Sequence, residues 1–302
     1  MTSIITNNSA MAALQTLKGI SSSLQSTQSA VSSGLRISKA SDNAAYWSIA
    51  TSMKSDDSAL GAVSDALGLG AAKVDTASTA VTSAIDVVGQ IKDKLVSAME
   101  GSVDKSSIQE EIGQLQQQLQ SVAQSASFNG ENWVMAKSGD SASVVASFIR
   151  GTNGTVSVST TSYAFNSGAT GNVLFGATAS GSIDTTSGIL GTKTGSYSVF
   201  SLDITGMTSG QISTSLNMVQ TALNSLTSMG SKLGSISSRI DLQTSFASSL
   251  SSSIESGVGK LVDANMEQES SKLSALQTQQ QLAIQSLSIA NSSTQSILSL
   301  FR

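Results

Sequence analysis

Residues 53–98 read MKSDDSALGAVSDALGLGAAKVDTASTAVTSAIDVVGQIKDKLVSA. Met53, Leu60, Val63, Leu67, Val74, Ala77, Val81, Ala84, Val88, Ile91, Leu95 and Ala98 follow steps of three and four, with Asp56 and Gly70 as the interruptions. That period of about 3.5 residues is the seam of a helix packed along its whole length. At 1.5 Å per residue such a helix is about 70 Å long, a length suited to a rod rather than to an ordinary core. A second seam must cover it, and Ile212, Leu216, Val219, Leu223, Leu226, Leu233, Ile240, Ala247, Ile254, Val258 and Leu261 supply one of the same spacing, running through Gly230, Ser237, Thr244 and Ser251.

Between these helices the pattern changes twice. Gly101 to Asp104 turns the chain, Ser107 with Glu110 fits a capping box, and Ile108, Ile112, Leu115, Leu119 and Val122 predict a short helix folded back antiparallel on the long one. From Phe128 onward, Asn129-Gly130 is a hairpin signal. Valines, Phe148, Phe175, Tyr197, Phe200, Leu202 and Ile204 then sit among Gly, Ser and Thr, predicting a small β-rich region over 128–208.

Both ends are again helical. Leu14, Leu17, Leu24 and Val31 share one face of a helix over Ala10–Ser33, and Leu273, Leu276, Ala283, Leu287, Ala290, Ile297 and Phe301 hold one heptad register to the chain end, with Gln280 and Thr294 at the remaining seam positions. The polar faces of these helices are almost uncharged, so i,i+4 ion pairs cannot support them alone and packing must. Gly34 and the Ser/Asp/Asn cluster after it mark a break, with Asp42 or Ser41 as candidate caps for the long helix. The fold expected is mainly α: a long antiparallel coiled-coil hairpin with both termini at one pole and a small β-rich insertion at the other. The segments are 1–40, 41–127, 128–208, 209–262 and 263–302.

Composition narrows the function classes. The 302 residues include no Pro, Cys or His, only 4% are aromatic and 12% charged, and the net charge is −4. Helices are uninterrupted by proline, and disulfide, thiolate-metal, zinc and triad chemistries are excluded. The scattered Lys and Arg form no nucleic-acid or membrane footprint. Residues 1–8 lack a Sec-type leader pattern and no apolar run spans a bilayer. Asp56-Asp57, Glu110-Glu111 and Glu267/Glu269 are carboxylate pairs on helices with no histidine beside them, which reads as solvated faces or inter-subunit pairs rather than acid/base or metal sites. Gly68-x-Gly70 lies inside a helix and lacks a third glycine, so it is no nucleotide loop. Tyr46 and Trp47 read as core or interface anchors. No catalytic, metal or cofactor-binding residue is expected, and no cofactor.

Two thin terminal helices can bury only part of their seams in a monomer, while each fully buried large side chain is worth roughly 1.5–3 kcal/mol. Lateral packing with further copies completes them, and repeating contacts that do not close make a helical filament. A different class, a helical-hairpin signalling module, shares the Ala/Gln/Ser/Glu richness but would lose its tip to the β insertion.

The residues also carry a resemblance. Val31 to Ile37 (VSSGLRI) followed by Ala40, Asp42, Ala44 and Ala45, then Phe128-Asn129-Gly130, Leu233-Gly234 with Arg239, Gln280-Gln281, Ala290-Asn291 and Ile297 to Arg302 (ILSLFR) resemble the terminal motifs of bacterial flagellins. Tyr46-Trp47 with Asn43 resembles the rhizobial branch of the alphaproteobacteria. The resemblance implies an inner tube (D0) built on Leu14, Leu17, Leu24, Val31, Leu273, Leu276, Ala283, Leu287, Ala290, Ile297 and Phe301. It implies an outer tube (D1) built on Leu60, Val63, Leu67, Val74, Val81, Val88, Ile91, Leu95, Leu216, Val219, Leu223, Leu226, Leu233 and Ile240. Gly34, Leu35, Arg36 and Asp42 would link them. Type III export without a cleaved leader, an extracellular filament for swimming, sister flagellins, a cap, hook-junction proteins and a secretion chaperone are implied likewise; a hook-filament junction protein is the near alternative. The insertion leaves room for at most one small outer domain. Ser38, Lys39, Ser41, Asn43, Tyr46 and Trp47 replace usual residues of the peptide read by plant receptors, and Ile91 aligns with an arginine read by the Toll-like receptor. Weakened recognition by host flagellin receptors is expected.

Overall fold

The computed structural model describes residues 7–100, 103–151 and 155–299, with side chains at 293–299 excepted. Gly101, Phe301 and the side chains of Thr294 and Ile297 lie outside that description. The described residues form helices α1 (Asn8–Ser33), α2 (Ala44–Ser97), α3 (Lys105–Ser125), α4 (Ser209–Val262) and α5 (Met266–Ser299), with strands β1 (Ser127–Phe128), β2 (Glu131–Asn132), β3 (Ser141–Arg150), β4 (Val156–Ala164), β5 (Gly176–Ala177) and β6 (Ile183–Asp184) between α3 and α4. The chain is mainly α with a small β insertion. By contacts it divides into one unit of residues 1–58 with 251–302 and a second of 59–250.

In the second unit the long seam forms as its spacing requires. Leu67, Val74, Ala84, Val88, Ile91 and Leu95 of α2 are fully buried. Lys92 Nζ donates to Gln220 Oε1 at 3.0 Å, and Val81 lies beside Gly230, which sets α4 antiparallel to α2. On α4 the buried positions of this unit include Ile212, Ser215, Val219, Ala222, Leu226, Met229, Leu233 and Ile240. Leu216 and Leu223, expected on the seam, are half-buried on its flank. Ser215 and Ala222, with small side chains, are buried, while Leu216 and Leu223 pack against the core from its edge.

Caps fall one or more residues from where the sequence suggested. The Asn43 carboxamide, not Asp42 or Ser41, accepts from Ala45 N and Tyr46 N at the start of α2. Asp104, not Ser107, caps α3, accepting from Ser106 N and from the Ser107 hydroxyl. A capping box does occur at α4, where Thr208 N donates to Gln211 Oε1 at 2.8 Å and Gln211 N returns a bond to the Thr208 hydroxyl.

Asn129-Gly130 makes the tight turn between β1 and β2, both residues at positive φ. Among the described residues the 128–208 region contains less strand than its alternating apolar residues suggested: three antiparallel pairs including β1–β2, of which only β3–β4 is long. Val173, Val199, Leu202 and Ile204 are buried without joining a ladder. Glutamines of α3 replace the missing strand partners: Gln116 Nε2 donates to the carbonyls of Val199 and Leu202, while Gln109 bonds both Leu202 O and Ile204 N. Backbone groups buried in this way must find such partners. The β3–β4 hairpin seats on the helices through Val144, whose Cγ1 fills the space where a side chain at Gly70 would begin, and through Arg239, which donates to the Thr161 hydroxyl at 2.8 Å. Gly70 interrupts the seam pattern because the hairpin enters there.

Candidate assembly surface

The first unit pairs the two chain-terminal helices. Asn7 Nδ2 donates to Ala290 O and Ala264 N donates to Gly34 O, so α1 and α5 run antiparallel. Asn7 also caps α1 by accepting from Ala10 N. The inward face of α1 is Ala13, Leu17, Ile20, Leu24, Thr27 and Val31, and that of α5 is Leu273, Leu276, Gln280, Ala283, Leu287 and Ala290. Leu14 departs from the expected seam: it is 56% exposed, because the heptad register runs through Ala13 and Leu17 and leaves residue 14 on the outer flank. Ile20 and Thr27, which the sequence reading did not single out, take seam positions instead.

Two helices bury this face only in part. Thr27 and Leu276 are the buried seam residues among those described, and the others are half-covered. Thr27 Oγ1 is buried without a hydrogen-bond partner. Replacing Thr27 by Val removes an unsatisfied hydroxyl at nearly constant volume and is expected to stabilise the pair by about 1 kcal/mol. Thermal unfolding followed by helical circular dichroism checks this, and a lowered midpoint would contradict it.

The outer surface of the same pair is apolar and nearly free of charge. Met11, Leu14, Leu282, Ile284 and Ile289 are each more than half exposed. Lys18 is the one ionisable side chain of α1, and α5 has none from Leu273 to Ser299. Leu14 and Ile284 line a groove of about 490 Å³ between the helices together with Leu17, Lys18, Gln25 and Gln280. Large apolar side chains this exposed, on helices with so little charge, mark an interaction surface.

The connection after α1 is held by main chain. Gly34 ends α1 in the left-handed region, φ 72°, with its N–H on Ala30 O. Leu35 bridges to Asp263, the Arg36 and Ile37 amides both donate to Val262 O, and the Arg36 guanidinium donates to Leu261 O at 2.8 Å. Arg36 thus sits on the carbonyls at the C-terminal end of α4, where a cation also meets the helix dipole favourably. Asp42 folds the loop, accepting from the Ser38 and Lys39 amides and the Ser38 hydroxyl.

The Ser38 amide, helped by Lys39 and the Ser38 hydroxyl, holds the Asp42 carboxyl below its ordinary value of 3.8. A depressed folded-state pKa means that this contribution is complete above the ordinary value and is lost as pH falls through the lower one. NMR titration is expected to show the Ser38 and Lys39 amide shifts moving together with a midpoint under 3.8. A midpoint at or above it would remove the assigned contact.

One member of each carboxylate pair makes a polar contact within the chain. Asp57 accepts from the Ser251 hydroxyl, Glu111 pairs with Lys94, and Glu269 lies 3.7 Å from Lys272. Tyr46 and Trp47 are partly exposed, so they are not core anchors of the isolated chain. Ile91 is fully buried, and its exposed neighbours include Gln90 and Asp93.

A family model described as the bacterial flagellin N-terminal helical region matches residues 4–138, and one described as the bacterial flagellin C-terminal helical region matches 216–301. Flagellin A of Rhizobium meliloti is 45% identical over 395 aligned residues, Flagellin C of R. meliloti strain 1021 is 47% identical over 322, and a flagellin of Brucella melitensis is 48% identical over 303. Each alignment covers 100% of both chains. The stretch between the two matched regions, 139–215, contains β3 to β6.

Proposed function

The chain belongs to the bacterial flagellin family, of rhizobial type, and as a structural subunit of the flagellar filament, not an enzyme, we propose that it polymerises through the outer face of its α1/α5 pair. The observation that supports this is the run of exposed apolar side chains at Met11, Leu14, Leu282, Ile284 and Ile289 on helices almost devoid of charge. In a monomer that surface is a solubility cost. Copies packed side by side cover it and complete the half-buried seam of Leu17, Leu24, Val31, Leu273, Ala283, Leu287 and Ala290 at the same time.

In this reading α1 and α5 form the inner tube, α2, α3 and α4 the outer tube, and Gly34 to Asp42 the link between them. Export through the flagellar type III apparatus, an extracellular position, growth under a cap protein, hook-junction neighbours and a chaperone on α5 follow the family pattern. Weak recognition by host flagellin receptors is part of the same proposal. For the Toll-like receptor it rests on the exposed Gln90 and Asp93, neither of which offers the guanidinium, rather than on Ile91.

The test is seeded growth of the full-length chain beside a truncation lacking Leu273–Arg302, read by electron microscopy. Long tubes from the first and monomers from the second are expected. Equal growth by the truncation would reject the terminal pair as the polymerisation element.

A further inference from the structure

The β1/β2 turn has a chemical property separate from assembly. Asn129 and Gly130 stand at φ 51° and 83° and are exposed. Neither the Asn129 carboxamide nor the Gly130 amide has a hydrogen-bond partner among the described residues. Gly130 has no side chain to shield its nitrogen. The strands that close the turn are two residues each, and so short a ladder opens at little cost. The flanks, by contrast, are pinned. Lys73 Nζ bonds Glu131 at 2.9 Å, and the Asn132 side chain donates to Ala123 O and accepts from Val134 N and Met135 N. Asn129 and Gly130 can therefore rearrange while their surroundings stay in place.

We propose that Asn129-Gly130 is a self-modifying site at which the chain deamidates spontaneously as it ages. The Gly130 amide nitrogen attacks Cγ of Asn129. The N–Cγ bond forms, the Cγ–Nδ2 bond breaks, and Nδ2 leaves as ammonia with the proton given up by Gly130, leaving a cyclic imide. Water then opens the imide at one of its two carbonyls. One opening yields aspartate at 129 on the original main chain; the other routes the main chain through the β-carbon as isoaspartate. Both products set a new carboxylate two residues from Glu131, and isoaspartate also lengthens the turn that holds Glu131 against Lys73. The subunit so carries a record of its age in a surface hairpin, and the Lys73–Glu131 pair is the contact that the record loosens.

The test holds the purified full-length chain in warm, mildly alkaline buffer beside a synthetic peptide of residues 124–135. Tryptic peptides are read by mass spectrometry and by isoaspartyl methyl transfer. The chain's other Asn-Gly pair, at 153–154, falls in a different tryptic peptide because Lys137 and Arg150 lie between. The amide at 129 is expected to be lost from the folded chain no more than about tenfold slower than from the free peptide, the protection of a nearly free local opening. Asn129→Gly keeps residues that accept positive φ in this turn, and its peptide is expected to gain no methyl label. A folded chain that keeps the Asn129 amide while the free peptide is fully converted overturns the proposal, as does methyl label persisting in Asn129→Gly.

Discussion

Ile289→Glu is expected to leave the monomer folded and to prevent filament growth at concentrations where the parent chain polymerises. Ile289 is 69% exposed, so a charge there touches little within the chain, and surface substitutions of this kind change stability by about 0.5 kcal/mol or less. In the assembled state the same position loses a buried large side chain, worth roughly 1.5–3 kcal/mol, and must also desolvate a carboxylate. A loss of about 3 kcal/mol per contact raises the concentration needed for growth by about a hundredfold. Sedimentation of seeded mixtures reads that concentration, and circular dichroism shows whether the monomer is intact. Growth at the wild-type concentration would show that Ile289 faces solvent in the polymer.

Ile91→Ala acts in the opposite compartment. Ile91 is fully buried on the α2 seam, and truncating it leaves a cavity in a close-packed core, which costs about 2–5 kcal/mol. Against a typical domain stability of about 5–15 kcal/mol this is a large fraction. Leu242→Ala on α4 is the matched control, since Leu242 is 70% exposed and its loss is expected to be nearly neutral. Urea unfolding of both variants separates them. A neutral Ile91→Ala would mean that α2 is not held by the seam described.

The contrast between these two positions shows what the sequence could reveal. The α2 seam was legible because its period is set by the chain itself: Leu67, Val74, Val81, Val88 and Leu95 repeat every seven residues and all are buried. On α4 and α1 the same reading followed the largest apolar residues and chose Leu216, Leu223 and Leu14. The more buried or inward positions include Ser215, Ala222 and Ala13 instead, small or polar side chains that hydrophobicity does not mark. The Asn129-Gly130 hairpin was legible because two positive φ angles demand those residue types. Gln109 and Gln116 were not, because their carbonyl and amide partners lie more than eighty residues away and no local period signals them. The pinning of Asn132 to Ala123 and Met135 is hidden for a similar reason: one asparagine among polar residues has no distinguishing pattern. For the assembly face, composition indicated a shortage of charge on both terminal helices, yet only the register of α1 and α5 assigns Leu14 to the outer surface.

The most direct measurement is a cryo-electron microscopy reconstruction of filaments grown from this chain, with the solvent exposure of Met11, Leu14, Leu282, Ile284 and Ile289 compared between subunit and polymer. The account predicts that neighbouring copies cover these side chains and the groove bordered by Leu14 and Ile284. Side chains that remain as exposed in the filament as in the single chain would contradict it, and the polymer contacts would then have to be sought on α2, α4 or the β insertion.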